Sequence, residues 1–78
     1  MTEILVLLGL RIRKLRENSG LSQEEFADKC GFDRTYISMI ERGKRNMSFS
    51  NLSKIASGLG ISVSKLTESI ENGTHSNR

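Results

Sequence analysis

Five side chains between residues 34 and 42 recur at spacings that place them on one face of a predicted helix. They stand at positions i, i+1, i+4, i+5 and i+8 and are Arg34, Thr35, Ser38, Met39 and Arg42. An arginine fork can donate to the O6 and N7 atoms of guanine, a threonine hydroxyl can bond a base or a phosphate, and a methionine can contact the thymine methyl group. We therefore predict that Arg34, Thr35 and Met39 read bases in a DNA major groove, with a merely solvated helix charge as the alternative for Arg34.

Two short helices joined by a tight turn would present this face. Ser22 and Glu25 have the spacing of a capping box at the start of the first helix, and Gly31 is its predicted end. Asp33 precedes the second helix, which is predicted to end at Gly43. These start and stop signals predict a helix-turn-helix unit.

The residues inside this unit fit two helices that cross steeply. Ala27 supplies a small contact, and Gly31 supplies the positive φ that a short turn requires. Ile37 and Ile40 supply two core anchors. Such a unit offers its second helix to the major groove, so the sequence predicts double-stranded DNA as the partner.

The rest of the chain predicts three further helices. With 78 residues, no proline, 36% hydrophobic and 5% aromatic residues, the composition favours short helices over a β-sandwich. Apolar periodicity and turn residues predict these helices over about 2–18, over 50–60, and from Ser62 through Leu66 to Ile70. We predict an all-α, compact five-helix single domain over residues 1–71 and a disordered tail over residues 72–78.

The residue types needed for catalysis or metal binding are scarce. With one histidine and one cysteine, and without paired carboxylates or a phosphate-cradling glycine loop, the sequence predicts no enzyme, no metal and no cofactor. Cys30 is predicted to be a buried, inert thiol without a disulfide partner. The apolar run 4–10 is too short to span a membrane and lacks a preceding basic region, which predicts a cytoplasmic protein.

The net charge of +3 is unevenly distributed. Basic residues are concentrated on both sides of the acidic segment 21–33. Lys44 and Arg45, in the loop after the helix-turn-helix, are placed to neutralise phosphates. Gln23 is placed to dock a helix N-terminus on a phosphate, unless it is only a first-turn residue. The first helix also carries a basic run, Arg11, Arg13 and Lys14, which is more typical of a solvated face than of a binding site.

Residues 20–46, GLSQEEFADKCGFDRTYISMIERGKRN, resemble the lambda-repressor-like (Xre) helix-turn-helix family. The resemblance extends over roughly residues 8–70 and implies a five-helix DNA-binding fold. Within it, residues 33–46 resemble the controller proteins of bacterial restriction–modification systems. This narrower resemblance implies a homodimer that binds a pseudo-palindromic operator and regulates its own gene and an endonuclease gene.

The resemblance also implies roles for individual residues. Arg34, Thr35 and Tyr36 would read bases or DNA shape, with packing beside Ile40 as the alternative for Tyr36. Met39 departs from the small residue that similar controllers often carry, which affects the operator sequence rather than DNA binding. The full set of predicted phosphate contacts, including the loop cations already named, is Gln23, Ser38, Arg42, Lys44, Arg45, Asn46 and Ser48.

Two pairs of charged residues take their predicted roles from the resemblance. In the wider family an arginine of the first helix pairs with a glutamate near the end of the recognition helix, which implies an ion pair between Arg16 and Glu41. A phosphate contact is the alternative for Arg16. Similar phage repressors touch the RNA polymerase sigma factor through an acidic patch, which implies such a patch at Glu24 and Asp28. Favourable charge near a helix N-terminus is the alternative for these two.

Self-association is predicted because a short chain with neither disulfide nor metal needs another source of stability. The two helices of the helix-turn-helix face DNA, so the interface is predicted on the later helices, where Gly58 either allows close approach or is merely tolerated. The predicted interface residues are Leu52, Leu59, Val63, Leu66 and Ile70. The alternative function is a phage repressor or antitoxin of the same family that acts chiefly through a protein partner.

Overall fold

The structure, a computed structural model, describes residues 3–70 and contains helices and turns but no strand over that range. The five helices are α1 (Glu3–Asn18), α2 (Gln23–Cys30), α3 (Arg34–Glu41), α4 (Phe49–Gly58) and α5 (Val63–Leu66). The predicted all-α five-helix fold is confirmed. The tail predicted over residues 72–78 lies outside the described residues.

The start of α2 is capped as the sequence predicts. The Ser22 hydroxyl accepts a hydrogen bond from the Glu25 N–H at 3.0 Å, and the Glu25 carboxylate accepts one from the Ser22 N–H at 2.8 Å. At the start of α3, the Asp33 carboxylate accepts from the Tyr36 N–H at 3.0 Å. Each cap satisfies an N–H group that has no partner inside its helix, so both boundaries follow from local sequence.

The turn between α2 and α3 depends on Gly31, which has a φ of 87°. The N–H groups of Gly31 and Phe32 both donate to the Ala27 carbonyl at 2.9 Å. Ala27 is 1% exposed and lies where the two helices meet. The predicted helix-turn-helix is therefore present, with its small contact and left-handed turn residue in the expected places.

The boundaries of α4 differ from the predicted range of 50–60. The Ser48 hydroxyl accepts from the Asn51 N–H at 3.1 Å, so the helix begins directly after Ser48, at Phe49. The helix ends at Gly58, and the Leu59 N–H closes its last turn. The prediction was wrong by one residue at the start and two at the end.

α5 is a single turn, shorter than predicted: the Thr67 N–H closes it, and Ser69, with a φ of 64°, lies outside helical conformation before Ile70. The Arg11 guanidinium donates from α1 to the carbonyls of Leu66 and Glu68, both at 3.0 Å. Carbonyls at a helix C-terminus lack intrahelical partners, so this arginine caps α5 and ties it to α1. The solvated face predicted for the basic run is therefore wrong for Arg11.

One core contains residues from all five helices. The fully buried side chains fill the space between the helices and are Ile12, Phe26, Ile37, Ile40, Ile55 and Leu66. Ile37 and Ile40 lie on the inner side of α3, as predicted, so the opposite side of that helix remains for other contacts.

Two glycines let helix backbones approach closely. A Cβ at Gly9 would collide with the Ile40 carbonyl oxygen and lie 2.7 Å from that of Glu41, so α1 rests directly on the backbone at the end of α3. A Cβ at Gly58 would collide with the Cys30 sulfur, where α4 meets α2. Gly58 therefore allows close approach between α4 and α2 within the subunit, which decides between the two alternatives that the sequence leaves open.

Cys30 is a free thiol in this core and is 8% exposed. Burial raises the pKa of the Cys30 thiol to about 11, with only a partial opposing effect from the charge of Lys29. The thiol is therefore neutral near pH 7, in agreement with the buried position that the sequence predicts.

Candidate nucleic-acid interface

The outer face of α3 is polar and open to solvent. Its members are the exposed Arg34, Thr35 and Arg42 and the half-buried Ser38 and Met39. Arg42 is held along this face because its Nε donates to the Ser38 carbonyl at 3.3 Å. The arrangement leaves several hydrogen-bonding groups and one apolar side chain on a surface of the width that a major groove accepts.

Arg34 is connected to the core through Gln23. The Arg34 Nη1 donates to the Gln23 Oε1 at 3.0 Å, and the Gln23 Nε2 donates to the Glu41 Oε1 at 3.0 Å. Gln23 therefore uses both ends of its amide, one toward the recognition helix and one toward a buried carboxylate. The bond between Arg34 and Gln23 orients the guanidinium before any ligand arrives. Gln23 thus has the role of orienting Arg34, beside its predicted phosphate contact.

Arg16 and Glu41 lie together in a buried ion pair. The Arg16 Nε and Nη2 donate to the two Glu41 carboxylate oxygens at 2.7 and 3.0 Å, and the Arg16 Nη1 donates to the Leu21 carbonyl at 2.8 Å. The exposed fraction is 7% for Arg16 and 5% for Glu41. The hydrogen bonds that Arg16 donates to Glu41, opposed in part by desolvation, raise the pKa of Arg16 above its ordinary value, so its guanidinium remains charged.

Tyr36 lies in a cluster of four side chains from separate parts of the chain. Its ring packs on Phe32, with centroids 4.7 Å apart, and the Arg45 guanidinium carbon lies 5.1 Å from its centroid on the loop side. The phenolic oxygen accepts a hydrogen bond from the Asn51 Nδ2 at 2.9 Å. Tyr36 is half-buried, so its ring packs within the subunit while part of it remains accessible at the face of α3.

The loop between α3 and α4 carries the remaining predicted phosphate contacts. Its exposed members are Lys44, Arg45, Asn46 and Ser48. The Asn46 Oδ1 accepts from the Met47 N–H at 2.9 Å, which leaves the amide hydrogens directed to other acceptors. The Ser48 hydroxyl accepts a capping bond, so its proton is still available to donate. The loop thus adds cations and donors beside the outer face of α3.

Glu24 and Asp28 are exposed on α2, one turn apart. Glu25 is engaged in the capping box. On α1, Arg13 pairs with Glu17 at 3.1 Å on the exposed surface, whereas the exposed charges of α3 and the loop after it are basic. The acidic side chains of α2 form no ion pair with those basic residues in the described range.

The predicted dimer residues fall into two groups. Leu52, Leu59 and Val63 are half-buried and have accessible surface. Leu66 is 0% exposed and Ile70 is 8% exposed, because both pack into the core of their own subunit. The interface prediction is therefore wrong for Leu66 and leaves Ile70 little area to contribute. Large exposed apolar side chains occur elsewhere, at Ile4, Val6, Leu10 and Phe49.

Two residues of the Tyr36 cluster were not singled out by sequence reasoning. Asn51 stands three positions after the Ser48 cap and has the form of an ordinary first-turn residue. Phe32 directly precedes the Asp33 cap and stands where a hydrophobic staple would pair it with Ile37. The single tyrosine of the chain was the available signal, because a half-buried phenol needs a hydrogen-bond partner.

Two other kinds of feature are absent from the described range. None of its helices is long and apolar enough to cross a membrane. Residues 3–70 bring together no group of three or more side chains that would hold a metal ion. What they do form is a helix-turn-helix with a polar recognition face and an adjoining basic loop, which defines a DNA-binding domain.

Comparison with known proteins assigns the family. The helix-turn-helix family model matches residues 12–66. The chain is 51% identical over 72 residues to control protein C.MunI of a Mycoplasma species, covering 91% of this chain and 97% of that protein. The controller protein C.AhdI of Aeromonas hydrophila has a similar structure, with a TM-score of 0.77 and 47% identity over 80% of this chain and 90% of that chain.

A third relative is known bound to DNA. It is the restriction–modification controller protein C.Esp1396I, solved as a tetramer with its natural 35 base-pair operator; the TM-score is 0.82 at 37% identity, over 91% of this chain and 93% of that one. The chain belongs to the helix-turn-helix family and, within it, to the restriction–modification controller proteins. These are DNA-binding transcription regulators and not enzymes.

Proposed function

We propose that a dimer of this chain binds a pseudo-palindromic operator and controls transcription of its own gene and of an endonuclease gene. The observation that carries the proposal is the outer face of α3, where Arg34 is exposed yet oriented by Gln23. The operator complex of the C.Esp1396I controller supports DNA as the partner. The proposed place of action is the cytoplasm, where a bacterial regulator meets its operator.

The side chains divide into two groups by what they would contact. Arg34, Thr35, Tyr36 and Met39 lie on or beside α3 and would read base edges or DNA shape. Gln23, Ser38 and Arg42, with Lys44, Arg45, Asn46 and Ser48, surround that face and would bind phosphates. The second group positions the first, because phosphate contacts set the register of the helix in the groove.

The dimer must place its two recognition helices about 34 Å apart to reach successive major grooves on one side of the DNA. Leu52, Leu59 and Val63 belong to α4, its C-cap and α5, outside the helix-turn-helix, and provide accessible apolar area. We propose this surface, without the buried Leu66, as the dimer contact. A 35 base-pair operator bound by a tetramer, as for the C.Esp1396I controller, is compatible with two dimers side by side.

The Arg34→Ala variant tests the central assignment. We expect it to lose about 1–3 kcal/mol of discrimination between the operator and other duplexes while it keeps most nonspecific affinity, because a bidentate contact with guanine is lost and the phosphate contacts remain. The measurement is fluorescence anisotropy with the duplex that the wild-type protein selects from a randomised oligonucleotide pool. Arg13→Ala, which removes an exposed cation on α1, is the matched control and should bind as wild type.

Two outcomes of the binding measurement would contradict the assignment of Arg34 as a base-reading residue. An equal loss on operator and random duplexes would make Arg34 a phosphate contact rather than a base reader. A wild-type protein that folds and dimerises but enriches no sequence would contradict operator recognition altogether.

We further propose that Glu24 and Asp28 form an acidic surface that contacts a basic region of the RNA polymerase sigma factor. Both side chains are exposed on α2, one helical turn apart. Reversing both charges to lysine should abolish activation of a reporter promoter while operator affinity is retained or slightly increased, because cations near DNA favour binding. The measurement is in vitro transcription beside anisotropy on the same samples. Retained activation, or loss of operator affinity together with activation, would contradict this proposal.

A further inference from the structure

Tyr36 is held on three sides by residues from three other parts of the chain. Phe32 from the turn supports one part of the ring at 4.7 Å, and Arg45 from the basic loop lies 5.1 Å from its centroid. These two contacts leave the ring some freedom to tilt, since stacking and cation–π attraction depend weakly on direction. The bond from the Asn51 Nδ2 to the phenolic oxygen is the directional contact among the described residues.

Asn51 is itself fixed by the core. Its N–H donates to the Ser48 hydroxyl at 3.1 Å in the first turn of α4. One turn further along, Ile55 and Ala56 are 0% and 1% exposed and anchor the helix. The hydrogen bond from the Asn51 amide therefore fixes the phenolic oxygen of Tyr36 relative to a rigid part of the molecule.

The direction of this hydrogen bond determines whether the phenolic proton of Tyr36 is available to DNA. Because the Asn51 amide donates, the phenolic oxygen acts as the acceptor and its own proton remains available. That proton can be donated to a base acceptor or to a phosphate oxygen. The same ring carries the Arg45 guanidinium over its face, so its tilt also sets where this cation of the loop lies.

We propose that Asn51 is a positioning residue for operator discrimination, which acts by holding Tyr36 and, through it, Arg45. This inference rests on the proposed function, since it assumes that Tyr36 and Arg45 meet DNA. Asn51 acts from α4, outside the helix-turn-helix, and its effect passes through the phenolic hydroxyl of Tyr36.

A double-mutant cycle separates this role from a direct contact with DNA. Asn51→Ala and Tyr36→Phe should each lower discrimination between the selected operator and a random duplex by about 3- to 10-fold, the size of one net hydrogen bond. The combined variant should lose no more than about 2-fold beyond Tyr36→Phe alone, because the effect of Asn51 passes through the hydroxyl that this substitution already removes. Ser53→Ala, an exposed change on the same helix, is the control and should leave discrimination unchanged.

A measurement on the free protein tests the positioning without DNA. The chain has one tyrosine and no tryptophan, so its intrinsic fluorescence comes from Tyr36 alone. Quenching by acrylamide should be stronger in Asn51→Ala than in wild type or Ser53→Ala, since the ring is released. Circular dichroism melting of each variant identifies any loss that comes from unfolding.

Each outcome decides the proposal. Additive losses in the cycle, or an equal loss on operator and random duplexes, would make Asn51 a DNA contact in its own right and overturn it. Unchanged discrimination or unchanged quenching in Asn51→Ala would also overturn it. Absence of any operator preference in the wild type would contradict the proposed function, and the quenching result would still decide whether Asn51 holds the ring.

Discussion

Replacing Glu41 with alanine should lower the free energy of unfolding by about 3–5 kcal/mol. Arg16 would then remain as a charge that is 7% exposed, bonded only to the Leu21 carbonyl and near the exposed Glu17. Gln23 would lose the acceptor of its amide at the same time. Urea denaturation followed by far-ultraviolet circular dichroism measures the change, which is as large as the roughly 3–5 kcal/mol that a single core in a chain of this length supplies.

Two comparisons test the physical reason. The double variant Arg16→Met with Glu41→Leu removes both charges and should be more stable than either single charge deletion, because no unpaired charge remains buried. Arg13→Ala breaks the exposed pair between Arg13 and Glu17, whose side chains are 58% and 53% exposed, and should cost less than about 1 kcal/mol. A Glu41→Ala variant as stable as Arg13→Ala would show that the buried pair contributes little.

Operator affinity should fall steeply with salt. If a dimer engages about six to ten phosphates, raising the salt concentration from about 50 to 200 mM should weaken binding by about 10³- to 10⁵-fold, because bound cations release counterions from the DNA. The predicted contacts supply enough groups for this number, since each subunit presents Arg42, Lys44 and Arg45 beside further donors. Anisotropy titrations over a salt series measure the slope of log K against log salt.

The Lys44→Gln variant is the matched test of that slope. Each dimer carries two copies, so the slope should become shallower by about 2. Lys65→Gln, an exposed cation on α5 that pairs with Glu68 at 3.3 Å, should leave the slope unchanged. A wild-type slope near zero would contradict a phosphate-binding surface at this loop.

The helix-turn-helix could be predicted because its determinants are local. The Ser22 and Glu25 capping box, the Asp33 cap and the positive φ of Gly31 each act over four residues or fewer. The start of α4 could not be placed in the same way, because Ser48 and Ser50 are both suitable caps and the apolar Phe49 between them, which is 72% exposed, carries no periodic signal.

Contacts between distant residues could not be predicted in this way. Arg11 caps a helix 55 residues away, and Asn51 reaches Tyr36 across 15 positions. The pairing of Arg16 with Glu41 came from the family resemblance and not from spacing. Leu66 was assigned to the interface because an apolar residue at helical spacing has the same pattern whether it is covered by its own subunit or by a partner.

The contact at Gly9 limits how the recognition helix can evolve. Where α1 meets the carbonyls of Ile40 and Glu41, main chain lies against main chain with no side chain between them. Side chains between two helices can change rotamer and absorb small displacements, but a direct contact between backbones cannot. The orientation of α3 relative to α1 is therefore fixed, and we expect changes in binding preference to come from substitution of its outward side chains.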